Sequence, residues 1–184
     1  MALRKVFIFP DPVLREKARP VTRFDDELKR LASDMLETMY ASKGIGLAAP
    51  QVGQSLRLCV IDVADQQEKG EERKPVALVN PEIVLKEGEI EWNEGCLSFP
   101  GIYENIRRAG HVVVKALDVE GKPFTIEGLG LLAVAMQHEI DHLEGILIFD
   151  YMSFIRKKLV KRELKKKAEE MAKESADTAA QENA

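Results

Sequence analysis

Apolar positions recur along this chain with two different periods, and each change of period marks an element. In FDDELKRLASDMLETMY (24–40) the apolar side chains fall at 28, 31, 32, 35, 36 and 39, a spacing close to 3.6 residues that predicts a helix. Asp25 is its N-cap, acids occupy its first turn, and Lys43-Gly44 ends it. Residues 56–63 (LRLCVIDV) are mostly apolar and read as a strand. Residues 76–79 and 82–91 follow as strands after a polar loop at 66–74 (QQEKGEERK), and 111–119 alternate as HVVVKALDV. Gly121-Lys122 predicts a hairpin turn into a strand at 124–126. Helical spacing returns at 131–143 with Gly145 as a stop, and again from Phe154 at 155, 159, 160, 164, 168 and 171, leaving 175–184 as a frayed tail. Strands that follow one another without intervening helices pair antiparallel. The expected class is therefore α+β, with antiparallel β-sheets packed around the central 131–143 helix, an N-terminal helix and a C-terminal amphipathic helix.

Composition narrows this only a little. The 184 residues, 45% hydrophobic and 32% charged, suit one domain with a substantial core and exclude collagen-like, wholly disordered and disulfide-scaffold classes. A net charge of −4 argues against a polyanion partner for the molecule as a whole. The charge is uneven, however: residues 156–174 hold nine Lys/Arg against four Glu, net +5, leaving −9 on the rest. That run is either a solvated helix face or a surface for docking on RNA. The apolar run at 6–9 is short beside a signal-peptide core of about 7–15 residues. No apolar run approaches the roughly 20 residues that span a bilayer. Two Cys allow one disulfide at most, so a reduced cytoplasmic setting is expected.

The candidate chemistry is concentrated in three blocks. Histidine occurs only at 111, 138 and 142. In QHEIDHLEG (137–145), His138 and His142 lie one helical turn apart on one face, so both imidazoles can reach one metal ion, with Glu139 beside it to hold a water. A catalytic metal takes a third protein ligand and keeps an open position. Ile148 stands where a metzincin has its third His, which excludes that class; Glu163 would serve a gluzincin but lies in a Lys-rich helix. His111 and Cys96 remain. Cys96 sits in EGCLSFP (94–100), a non-helical segment bounded by Gly and Pro, whereas Cys59 in its apolar strand and His111 at the start of another read as structural. GIGLAAPQVG (44–53) formally satisfies a dinucleotide fingerprint, but it follows a helix and Pro50 blocks helical propagation. It reads instead as an extended segment whose glycines admit another backbone, with Gln51 offering an amide donor.

In the order and spacing of these blocks, from about residue 5 to 155, the sequence resembles the peptide deformylases, metalloenzymes that remove the N-formyl group from nascent polypeptides. The resemblance implies a catalytic domain over 1–153, a basic helix over 154–174 and a disordered tail over 175–184. It implies Cys96, His138 and His142 as metal ligands, Glu139 as general acid/base, and the Gln51 side chain and Leu97 backbone N–H as oxyanion donors. Ile45, Gly46 and Gly95 would pair with the substrate backbone, while Ile45, Leu131 and Val134, with Tyr103 at the rim, would line a pocket for the formyl-methionine side chain. Fe(II) is the implied native metal, with Zn, Ni or Co able to replace it. The chain would act in the cytoplasm as a monomer, away from membranes, and its basic helix would contact the ribosome. The alternatives are a gluzincin-like metallopeptidase using Glu163 and a closed structural metal site with His111 as fourth ligand.

Overall fold

The computed structural model describes residues 2–64 and 73–167. Most of the expected 66–74 loop, the last part of the 154–174 helix and the 175–184 tail lie outside them. The chain divides into two compact units, 1–150 and 151–184.

The first unit is α+β, as expected. Helix α1 (Asp26–Ala41) begins where Asp25 caps it, the carboxylate accepting from Leu28 N–H. Strands β1 (Gly46–Ala48), β2 (Leu58–Ile61), β3 (Val76–Glu87), β6 (His111–Leu117) and β7 (Pro123–Leu129) form an antiparallel five-stranded sheet in the order β1-β2-β3-β6-β7. Strands β4 (Ile90–Cys96) and β5 (Phe99–Arg108) pair as a separate two-stranded sheet. The second helix, α2 (Leu131–Leu143), carries the HExxH segment.

The apolar run at 56–63 is explained by helices on both faces of the sheet. Alternation along β2 turns Leu58 and Val60 to one side, where they join Leu28, Leu31, Met35 and Met39 of α1. Cys59 and Ile61 turn to the other, with Ala133, Met136, Ile140 and Leu143 of α2. Each fully buried large aliphatic side chain among them contributes about 1.5–3 kcal/mol. α2 is thereby pressed against the sheet with His138 and His142 toward β4.

Three local expectations are revised. Residues 76–79 and 82–87 form one strand, bent by a register shift between Val79 and Glu82, and the expected strand of 82–91 breaks after Glu87, with Ile90 and Glu91 opening β4. At the register shift Asn80 takes φ 50° and exchanges two hydrogen bonds with the Val21 backbone. Residues 49–52 form a 3-10 turn rather than extended chain, because Pro50 supplies a ready-made turn φ and Gln51 folds back to accept from Ala48 N–H. The hairpin β4–β5 was not anticipated.

The second unit's described part contains a helix over 154–167. Lys158 lies over the Phe154 ring and Glu163 pairs with Lys167 one turn on.

Candidate metal centre

His138 and His142 sit one turn apart on α2, 8% and 1% exposed. Cys96 ends β4 at a register shift against β5, with its sulfur 3.3 Å from His142 Nε2. Ligand atoms of Cys96, His138 and His142 all lie within 4.8 Å of one another, the one such His/Cys/Asp/Glu cluster among the described residues. His111 lies elsewhere, between Glu87 (3.1 Å) and Glu127 (2.8 Å). Cys59 is fully buried, and that burial pushes its thiol well up.

The cluster fits a divalent ion. His138 Nδ1 is bound at 2.8 Å by Glu94 Oε2, which leaves Nε2 as its ligating atom. Burial holds His142 toward the neutral, ligating form. At His138 burial works the same way, but the Cys96 sulfur and the Glu94 carboxylate outweigh it and favour positive charge at that spot. One soft sulfur and two imidazoles suit iron, zinc, nickel or cobalt.

Beside the cluster opens a cavity of about 690 Å³. The structure brings Ile45, Gly46, Gln51, Gly95, Leu97, Tyr103, Leu131, Val134 and Glu139 to its walls together with Cys96 and His138. Leu131, Val134 and His138 share one face of α2 at i, i+3 and i+7. β1 is an end strand of its sheet, so one edge of Gly46–Ala48 has no strand beside it. Gly46 is there because Glu139 needs its space: a Cβ on Gly46 would fall 2.3 Å from Glu139 Oε1. Glu139 is 4% exposed, its Oε2 has no protein hydrogen-bond partner, and burial pushes its carboxyl up to about 7.

Sequence reasoning missed the groups behind the cluster. Arg108 grips Glu94 with Nε at 2.6 Å and Nη2 at 3.0 Å, and its Nη1 reaches Asp141 at 2.6 Å. Glu94 stands two residues before Cys96 and shares its side of β4, a relation that shows only once β4 is known to be a strand. Arg108 had none, its partners being 14 and 33 positions away. Ser98 was passed over as well; it is fully buried and accepts from Gln51 Nε2 at 3.1 Å.

An HExxH helix with two imidazoles and a thiol converging beside a cavity, on an α+β frame, defines a metal-dependent hydrolase. The sequence pattern of polypeptide deformylases matches residues 3–158. A peptide deformylase of Alkalilimnicola ehrlichii is 50% identical over 166 residues, covering 90% of this chain and 91% of that protein. The crystal structure of a Legionella pneumophila peptide deformylase superposes with a TM-score of 0.86 at 48% identity, covering 93% of this chain and 98% of that one. A structure of the Ehrlichia chaffeensis enzyme in complex with actinonin superposes with a TM-score of 0.85 at 35% identity, over 91% and 98% of the two chains. The chain belongs to the peptide deformylase family, metal-dependent hydrolases that remove the N-formyl group from nascent polypeptides. The gluzincin-like alternative is not favoured.

Proposed function

We propose that deformylation is carried out by Cys96, His138 and His142 holding a metal ion, Glu139 moving protons, and Gln51 and Leu97 receiving charge on the formyl oxygen. The observation that carries this reading is the convergence of the three ligating atoms within 4.8 Å beside a cavity walled by Glu139 and Gln51. The bound ion, Fe(II) by family likeness with Zn, Ni or Co as substitutes, supplies charge that polarises the formyl carbonyl and acidifies water. Glu139 takes the proton of the attacking water and returns it to the departing amine, so that formate and a free N-terminus are released. A carboxyl near 7 suits both transfers. The Gln51 amide and the Leu97 N–H donate to the oxygen that gains charge, each contributing about 3–4 kcal/mol. The free edge of β1 at Gly46, with Ile45 before it and Gly95 opposite, pairs with the substrate backbone, a contact that tolerates many sequences. Ile45, Leu131 and Val134 receive the methionine side chain, with Tyr103, 59% exposed, at the rim.

Residues 1–153 serve as the catalytic domain, and the basic run of 154–174 docks on the RNA-rich surface of the ribosome. The protein works as a cytoplasmic monomer; no helix among the described residues is long and apolar enough to cross a membrane. The deciding assay is formate release from a formyl-methionyl peptide by anaerobically prepared Fe(II) protein. Cys96→Ala is expected to lose metal and turnover together, and Glu163→Ala to keep both; the reverse result would return the gluzincin reading.

A further inference from the structure

Ser98 has no role in the mechanism above, yet it touches the one oxyanion donor that is a flexible side chain. We infer that Ser98 is a positioning residue for Gln51, its hydroxyl fixing the side-chain amide so that one N–H stays directed at the reacting centre. This rests on the assignment of Gln51 as an oxyanion donor.

The orientation of the Gln51 amide follows from its partners. Ala48 N–H can only donate, so the atom it meets at 2.8 Å must be Oε1, and Nε2 therefore points the opposite way. There Nε2 lies 3.1 Å from Ser98 Oγ and 3.6 Å from Cys96 Sγ. An amide nitrogen has two hydrogens. One is taken by Ser98, and the other is directed at the Cys96 sulfur, on the side of the reacting centre. Gln51 and Ser98 are 1% and 0% exposed, so without this hydroxyl the first hydrogen would be buried unpaired and the amide would rotate to relieve it. Both residues are also tied through their backbones to the N-terminal segment. Phe7 N–H donates to Gln51 O at 2.8 Å and Phe9 N–H to Ser98 O at 3.0 Å. The Phe9 ring stacks on Phe99 at 5.0 Å and on Phe149 at 4.8 Å. The segment thus clamps the 49–52 turn to the β4–β5 turn, and Ser98 completes the clamp at the level of the side chains.

The test is a double-mutant cycle in the full-length metal-loaded enzyme, with kcat and KM measured on a formyl-methionyl peptide. Ser98→Ala removes one oxygen and is expected to lower kcat about tenfold while KM stays within about twofold and metal content is unchanged. In a Gln51→Ala background the same substitution is expected to do nothing further, because the amide it positions is gone. An equal loss with and without the Gln51 amide would overturn the inference, as would an unchanged kcat in Ser98→Ala. Full kcat in Gln51→Ala alone would instead overturn the assignment of Gln51 as a donor. An independent readout is the side-chain amide signal of Gln51 in the zinc-loaded protein. Slow hydrogen exchange that becomes fast in Ser98→Ala supports the clamp, and exchange that does not change overturns it.

Discussion

The two carboxylates that flank His138 are both buried, each 4% exposed, and they end in opposite states. Behind the metal cluster, burial pushes Glu94 up, but hydrogen bonds and charge from His138 and Arg108 outweigh it and leave the carboxyl below its usual range. On the cavity side, burial acts on Glu139 with less to oppose it, and the group rises to about 7. Burial raises both carboxyls, and what opposes it sets their states apart. The number of fixed partners decides whether a buried acid becomes a permanent charge that orients a ligand or a group able to exchange a proton. Next to the hydrogen bond from His138, the grip of Arg108 makes the difference, and Glu94 receives it through direct bonds that Glu139 lacks. Arg108 is the second anchor. It grips Glu94 at 2.6 and 3.0 Å and ties that carboxylate to Asp141 on α2, whereas Glu139 Oε2 is left without a protein partner.

The largest effect is expected from breaking the cavity side. Glu139→Gln keeps the shape of the side chain and removes its proton. Turnover should fall by about 10²–10⁴-fold, measured as formate release. Metal content should be unchanged, and the melting temperature should hold or rise, because no carboxyl then has to be desolvated there. Turnover within tenfold of the parent would mean that Glu139 is not the proton carrier and that the comparison with Glu94 has no bearing on the chemistry.

Breaking the rear side should show a different pattern. Glu94→Gln weakens the acceptor that holds His138 Nδ1 and removes the negative charge that Arg108 grips. Metal affinity, read by competition with a chelator, is expected to drop about 10–100-fold. Turnover at saturating metal should fall much less than in Glu139→Gln. If the two variants lost turnover equally with metal fully bound, the division of labour between the two sides would fail.

The parts of this arrangement that were legible in the sequence are those set by neighbours along the chain. The Asp25 cap, the helix of 26–41, the apolar strand at 58–61 and the one-turn spacing of His138 and His142 all follow from local pattern. The rest depends on residues far apart in sequence. Strands β4 and β5 escaped notice because Trp92, Asn93, Glu94 and Gly95 give no alternation, and the inward side of β5 mixes apolar Ile102 and Ile106 with polar Glu104 and Arg108. The continuation of β3 past Pro81 depends on Asn80 bonding Val21, 59 positions away. The Gln51–Ser98 contact spans 47 positions. Spacing could nominate Glu139 but could not reveal that Gly46 makes room for it.

A third carboxylate, remote from the cluster, calibrates the other two and carries the smallest effect. Asp34 on α1 is 4% exposed, like Glu94 and Glu139. It accepts from Ala2 N–H at 3.0 Å and from Arg4 at 3.2 and 2.9 Å, and these partners hold its carboxyl below the usual aspartate range, burial opposing them. A depressed folded-state value means that the stability it contributes is fully present above the unfolded value of about 3.9 and is lost as pH falls through the folded one. Asp34→Asn should therefore lower stability by on the order of 1 kcal/mol at neutral pH. That difference from the parent, followed by urea unfolding at a series of pH values, should shrink below about pH 4. Turnover at pH 7 should not change. A stability gap that stayed constant down to pH 3 would show that the partners of Asp34 do not favour its charge. The claim that fixed partners override burial, on which the contrast between Glu94 and Glu139 depends, would then lose its simplest control.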